Sequence, residues 1–128
     1  MKKIFGVFAL LILLTTLVAA CGGSGGTGGT SNNTVNMTAS TFSPATITIK
    51  KGQSITLNNQ TATTHIISNG TWNGNTPVPK TETGAPVMSN VMFSSANETK
   101  TVGPFNTAGT YHYYCSVHPD MNLTVTVQ

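Results

Sequence analysis

The chain has 128 residues, which suits one small domain, and only 7% of them are charged. Six basic and three acidic residues give a formal net charge of +3. That charge is too small for a phosphate-neutralising surface, so we exclude nucleic acid as an expected partner.

The first twenty residues have the order of a secretory signal peptide. Lys2 and Lys3 form a basic start, and an apolar stretch from Ile4 to about Leu17 follows. The run Leu17-Val18-Ala19-Ala20-Cys21 resembles a bacterial lipobox, in which the Cys becomes a lipidated N-terminus. We therefore predict a signal peptide over 1–20. An uncleaved transmembrane anchor is the alternative, and both interpretations place the domain outside the cytoplasm.

Residues 21–33 are predicted to be the lipidated Cys21 followed by a flexible linker rich in Gly, Ser and Thr. The expected location is extracytoplasmic, as a membrane-anchored lipoprotein that is periplasmic or at the cell surface. Removing the leader leaves four Lys against three acidic residues, a net charge near +1. A lipidated Cys21 would also leave Cys115 without a disulfide partner. A lone thiol in an oxidising compartment suggests metal ligation.

From Thr34 onward the sequence alternates with a period of two and is rich in β-branched residues, which predicts strands. We predict an all-β, Greek-key β-sandwich over residues 34–128. The segment 69–92 contains many Gly, Asn and Pro residues and is predicted to be an irregular excursion at one edge of the sandwich. The predicted strands are Val35–Ala39, Thr46–Ile49, Ser54–Leu57, Thr63–Ser68, Thr99–Val102, Thr110–Tyr114 and Leu123–Val127.

The strongest chemical signal is the run Cys115-Ser116-Val117-His118-Pro119-Asp120-Met121 between two predicted strands. A thiolate, an imidazole and a thioether recur at three-residue steps, and His65 supplies a second imidazole from far upstream. Two His and one Cys with a weak axial Met form the blue-copper arrangement, whereas zinc prefers four firm donors. We therefore predict one type 1 copper ion held by His65, Cys115, His118 and Met121.

Strand alternation separates the third histidine from this group. Tyr111, Tyr113 and Cys115 should share the inward face of their strand, so that His112 and Tyr114 point outward. We therefore predict His112 to be an exposed surface residue and not a ligand. Tyr114 is predicted to be exposed beside Cys115, as a second electron exit or a cover for the sheet.

At these residues the sequence resembles the cupredoxin family of type 1 blue-copper proteins, in particular plastocyanin and amicyanin. The resemblance includes the segment from Phe42 to Gly52, the segment from Ala108 to His118, and the short Cys-x-x-His-x-x-Met loop. It implies a one-electron carrier that shuttles electrons between redox proteins. One departure is Ile66, which stands where many members have Asn or Ser to pin the Cys loop. We expect another group to replace it, with Thr63 and Thr64 as candidates.

Two other functions stay open at this level. A copper trafficking or storage module would use extra Met ligands, for which Met88 and Met92 are candidates, although packing roles are favoured. An enzyme of the copper nitrite reductase type would need a second copper site and a longer chain. We expect a monomer that is not an enzyme and that meets redox partners through an apolar surface around His118, with Val117 and Pro119 contributing.

Overall fold

The computed structural model describes residues 32–128, which form ten strands and no helix. The signal peptide, the lipidated Cys21 and nearly all of the linker predicted above lie outside these residues. No helix within 32–128 is long and apolar enough to cross a membrane. The strands are β1 (Thr34–Met37), β2 (Phe42–Ser43), β3 (Thr46–Ile49), β4 (Ile55–Asn59), β5 (His65–Asn73), β6 (Thr76–Pro79), β7 (Val91–Phe93), β8 (Glu98–Val102), β9 (Gly109–Cys115) and β10 (Asn122–Val127).

The strands form two sheets that pack face to face. One sheet has the order β2-β1-β4-β8, and the other has the order β3-β10-β9-β5-β6, with β7 also paired to β5. β1 runs parallel to β4 and β3 runs parallel to β10, whereas the remaining pairs are antiparallel. This arrangement confirms the predicted all-β, Greek-key sandwich.

The core lies between the sheets and follows the alternation seen in the sequence. Buried and partly exposed residues alternate along β1, β4 and β10, because successive side chains of a strand point to opposite faces. On β9 the side chains of Tyr111, Tyr113 and Cys115 are buried in this core, as predicted. Tyr113 also donates its hydroxyl to the carbonyl of Pro86 at 2.9 Å, and burial raises the pKa of Tyr113.

Four strands differ from the sequence prediction: the two-residue β2 was not predicted, and the other three lie wholly or partly in the segment 69–92 predicted to be irregular. β5 does not end at Ser68 but continues to Asn73, and β6 returns beside it after the two-residue turn Gly74–Asn75. Pro77 and Pro79 are tolerated because β6 is an edge strand. Its open side has no neighbouring strand, so the N–H that proline lacks is not needed there for a hydrogen bond between strands. β7 was also missed.

Gly70 lets β5 change direction without ending. Its φ of +130° lies where side chains are disfavoured, and a Cβ there would overlap the backbone of Val78 and its neighbours in β6. The adjacent Asn69 anchors the bend, because its amide donates to Pro86 at 3.1 Å and accepts from the N–H of Met88 at 2.6 Å. Asn69 therefore joins the bend in β5 to the segment that contains Pro86 and Met88.

We expect Gly70→Ala to lower the free energy of unfolding by at least about 1–3 kcal/mol, the usual cost of a disfavoured backbone conformation. The overlap with Val78 adds to that cost. Gly74→Ala is the matched control, because Gly74 also has a positive φ, +59°, but open space around its Cβ position. Urea denaturation of both variants measures the difference. Equal losses would contradict the role given to the Val78 contact.

The turn after β7 is held by the carboxylate of Glu98, which accepts the backbone N–H groups of Ser94 and Ser95 at 2.7 and 3.2 Å. The hydrogen bond from Lys100, followed by that from Ser94, lowers the pKa of Glu98 from 4.5 to about 2. A lowered folded-state pKa stabilises the protein above the unfolded-state pKa. That contribution is lost as the pH falls from 4.5 towards about 2.

We therefore expect Glu98→Gln to lower the melting temperature at pH ~6 and to have a much smaller effect at pH ~2, where about half of the wild-type carboxylate is protonated and most of its contribution has been lost. The Gln side chain can still accept a backbone N–H, so the difference reports mainly on the charge. Thermal unfolding of both proteins across this range provides the measurement. A melting-temperature difference that does not change with pH would contradict the assignment.

Candidate metal centre

The four predicted ligands come from one end of the second sheet. His65 is the first residue of β5 and Cys115 is the last residue of β9, and these strands run antiparallel with Ile67 opposite Cys115. Met121 directly precedes β10, and His118 lies in the short connection between β9 and β10. Strand pairing thus brings residues fifty positions apart in the sequence to one place.

Three potential ligand atoms converge there. The Sγ of Cys115 lies 3.3 Å from Nδ1 of His118 and 3.7 Å from Nδ1 of His65. The ligand atoms of these three residues all lie within 4.8 Å of one another, and the two imidazole centroids are 4.9 Å apart. Donors bound to one ion at about 2.0–2.3 Å can be at most about 4.6 Å apart. Both sulfur–nitrogen distances satisfy this condition.

Most of this group is buried, and only His118 reaches towards solvent. His65 and Cys115 are fully buried, Met121 is 1% exposed, and His118 is half-buried. Burial, and next the charge of His118, lowers the pKa of His65, while the backbone of Thr38 acts in the opposite direction. The neutral imidazole that results is the form that binds metal. Nδ1 of His65 faces the sulfur of Cys115 and is therefore the nitrogen aimed at the cluster.

Backbone hydrogen bonds fix the connection that carries Cys115, His118 and Met121. The N–H of Cys115 donates to the carbonyl of Met121 at 3.0 Å, which ties the two ends of the connection together. The N–H of Met121 donates to the carbonyl of His118 at 3.2 Å. Asp120 adopts a positive φ of 65°, a turn conformation that Asp tolerates better than most residues. The three side chains are therefore set by a closed turn.

Many members of the family hold the Cys loop with an Asn or Ser side chain at this position, and here the backbone carbonyl of Ile66 does so instead. Its carbonyl accepts the N–H of Ser116 at 2.8 Å and the Ser116 hydroxyl at 3.3 Å. The expectation that Thr63 or Thr64 pins the Cys loop is wrong. Within residues 32–128 neither side chain bonds to that loop, and the carbonyl of Thr63 instead accepts the amide of Asn59. Side-chain chemistry in the sequence gives no signal of a backbone acceptor.

His112 is outside the donor cluster, as predicted, but it is not a free surface residue. Its Nδ1 lies 2.8 Å from the carboxylate of Glu82, which also accepts the backbone N–H of His112 at 3.3 Å. Burial would raise the pKa of Glu82, but its hydrogen bonds, first that from His112, lower it overall. The β5–β9 pairing ends at Asn69 and Tyr113, and Glu82 takes the place of a strand partner for His112.

The prediction that Tyr114 is exposed is wrong. Tyr114 points outward by strand alternation, but it is only 5% exposed because the indole of Trp72 packs edge-on against it, with centroids 6.0 Å apart. Trp72 also donates Nε1–H to the carbonyl of Cys115 at 2.8 Å. Sequence reasoning missed this contact, since nothing in the sequence shows that β5 bends at Gly70 and brings Trp72 back over β9.

The two-sheet fold and the His, Cys, His and Met group together define a copper protein of the cupredoxin type. The sequence model of the family described as "Copper binding proteins, plastocyanin/azurin family" matches residues 30–128. The chain belongs to this family. The soft thiolate, the two imidazoles and the nearby buried thioether fit one type 1 copper ion as its cofactor.

Solved structures with the same fold include amicyanin from Paracoccus versutus (Thiobacillus versutus), with 21% identity and a TM-score of 0.55 over 74% of this chain and 79% of that chain. A purple cupredoxin from Nitrosopumilus maritimus has 22% identity and a TM-score of 0.55, over 74% of this chain and 98% of that one. Comparison with curated proteins gives no match. At these identities the structural likeness supports the fold alone.

Proposed function

We propose that the protein is an electron carrier that passes single electrons between extracytoplasmic redox proteins. The observation that carries the proposal is the convergence of Cys115 Sγ with Nδ1 of His65 and His118 inside the sandwich. These three residues would be the strong copper ligands and Met121 the weak axial one. Copper bound there would supply one-electron chemistry by alternating between Cu(II) and Cu(I).

The protein's own contribution is rigidity. A carrier works best when its ligands barely move between oxidation states, because each movement adds to the barrier for electron transfer. His65 is held by β5, and the other three residues sit in a turn closed by the bond between Cys115 and Met121. With four protein donors no position is left open for a substrate, which favours a carrier over an enzyme.

The most accessible part of the centre is the side of His118, which is where a redox partner would dock. Val117 beside it is 45% exposed, and Met92, which lies opposite Ile66 in the strand pairing, is 54% exposed. An apolar surface of this kind fits the apolar rim of a redox partner in a short-lived complex. We propose that the protein is a monomer and that this face, including Pro119, meets its donor and acceptor.

A copper trafficking or storage role would need extra soft ligands near the centre. Met88 is buried in the core, so it has the packing role favoured above. Met92 is exposed and could at most contribute from the surface. The geometry therefore supports the carrier better than the trafficking module.

The test is absorption and voltammetry of the purified protein reconstituted with one equivalent of Cu(II). The carrier should develop an intense visible band from thiolate-to-copper charge transfer and show a reversible one-electron wave. A colourless complex that exchanges copper readily with a competing chelator would overturn the proposal in favour of trafficking.

The membrane attachment rests on Cys21 and is tested separately. We expect Cys21→Ala to move the protein from the membrane fraction to a soluble or unprocessed form, because one residue would carry the lipid. Fractionation and mass spectrometry of the mature N-terminus provide the measurement, with Cys115→Ala as the control that should stay in the membrane. A free thiol on Cys21 of the mature wild-type protein would contradict the lipoprotein assignment.

A further inference from the structure

The β5–β6 hairpin carries Trp72, the single tryptophan of the chain, from the bend at Gly70 to the outer face of β9. There the indole lies against Tyr114 and is half-buried, so that one edge faces solvent and the other faces the backbone of β9. This hairpin is not needed to close the sandwich core, because its β6 strand is exposed along its whole length. Its position beside the metal centre therefore calls for another explanation.

Trp72 bonds to both residues that flank the ligand turn. Its indole N–H donates to the carbonyl of Cys115 at 2.8 Å, and its backbone N–H donates to Oδ1 of Asn122 at 2.7 Å. The amide of Asn122 donates back to the carbonyl of Trp72 at 3.4 Å. Cys115 begins the turn and Asn122 follows its last residue, Met121. One residue of the hairpin thus connects the entry and the exit of the turn.

The indole is the stronger of two donors to the Cys115 carbonyl. The N–H of His118 also reaches this oxygen, but at 3.4 Å, which is long for a hydrogen bond. The peptide plane after Cys115 is therefore oriented mainly by Trp72. Since the Cys115 side chain leaves the backbone next to this plane, the bond also affects where the sulfur sits.

We propose that Trp72 is a positioning residue that holds the ligand turn in its metal-binding shape before copper arrives. The proposal rests on the function proposed above and assigns a role to the β5–β6 hairpin, as a latch across the turn. A second effect follows from the same bond. The indole N–H places partial positive charge at the Cys115 carbonyl, close to the thiolate. This charge favours the reduced centre, because Cu(I) neutralises less of the thiolate's negative charge than Cu(II) does.

Trp72→Phe tests the latch, because it removes the N–H donor and keeps an aromatic ring against Tyr114. In the copper-free folded protein we expect iodoacetamide to alkylate Cys115 about fivefold to tenfold faster, the effect of losing one net hydrogen bond that keeps the turn closed. Mass spectrometry of the Cys115 peptide excludes any signal from Cys21. Asn122→Ala, which removes the other half of the latch, should act in the same direction.

Tyr114→Phe is the matched control, since it changes the aromatic ring beneath Trp72 and leaves the bond to Cys115 in place. It should react like the wild type. With copper bound, Trp72→Phe should lower the reduction potential and shift the visible band, whereas a purely structural loss would lower the melting temperature and leave both unchanged.

Alkylation rates of Trp72→Phe and Asn122→Ala within twofold of the wild type, with an unchanged potential, would overturn the latch. The alkylation readout needs no copper, so it still decides the question if the reconstituted protein proves not to be blue. Colour and reversible voltammetry of the wild type decide the carrier function independently.

Discussion

Cys115→Ser is expected to abolish the visible colour of the copper protein completely while the sandwich stays folded. The colour requires a thiolate bonded to copper, and Cys115 is the one cysteine among residues 32–128. The hydroxyl of Ser is a weak copper donor, and it occupies nearly the same volume. Replacing the buried sulfur with a hydroxyl should cost about 1–3 kcal/mol of stability, which is too little to unfold a typical domain.

The measurement is the visible spectrum after Cu(II) addition, together with the far-ultraviolet circular dichroism of the copper-free protein. Ser116→Ala is the control, because its hydroxyl makes one long bond to Ile66 while its N–H keeps the shorter one. It should remain blue. A Cys115→Ser protein that keeps an intense visible band would show that the colour arises elsewhere.

Met121→Leu is expected to retain copper and raise the reduction potential by at least ~60 mV, which corresponds to a tenfold stronger preference for Cu(I). The thioether is the proposed weak axial donor, and the loss of such a donor removes more stabilisation from Cu(II) than from Cu(I). Leu fills a similar volume, so the fully buried site should tolerate it with a loss below about 1.5 kcal/mol.

Met92→Leu is the matched control for this variant, since Met92 is exposed and Leu leaves the donor set intact. Its potential should equal that of the wild type by voltammetry. An unchanged or lower potential in Met121→Leu would show that the sulfur of Met121 is not the axial donor.

The sandwich itself could be predicted from the sequence because its strands are regular. Alternating side chains from β3, β4 and β10 reveal which face is buried, since one face of each strand must contact the opposite sheet. The same alternation predicted that Tyr111, Tyr113 and Cys115 point inward. The turn from Cys115 to Met121 is short, which limits the positions that its side chains can take and made the ligand group predictable.

The features that could not be predicted depend on contacts between distant segments. Whether β5 ends or bends at Gly70 depends on its pairing with β6. The burial of Tyr114 depends in turn on the position that this bend gives to Trp72. The Ile66 carbonyl that holds Ser116 is a backbone group present at every position. Local sequence patterns describe periodicity and turns, and they do not show which backbone group meets which partner.

The most direct test of the account is a crystal structure of the Cu(II)-loaded protein with anomalous scattering recorded at the copper edge. We expect a single strong anomalous peak within bonding distance of Cys115 Sγ and of Nδ1 of His65 and His118, with the Met121 sulfur as a longer contact. A peak outside this group, or a peak bonded to Nε2 of either histidine, would contradict it.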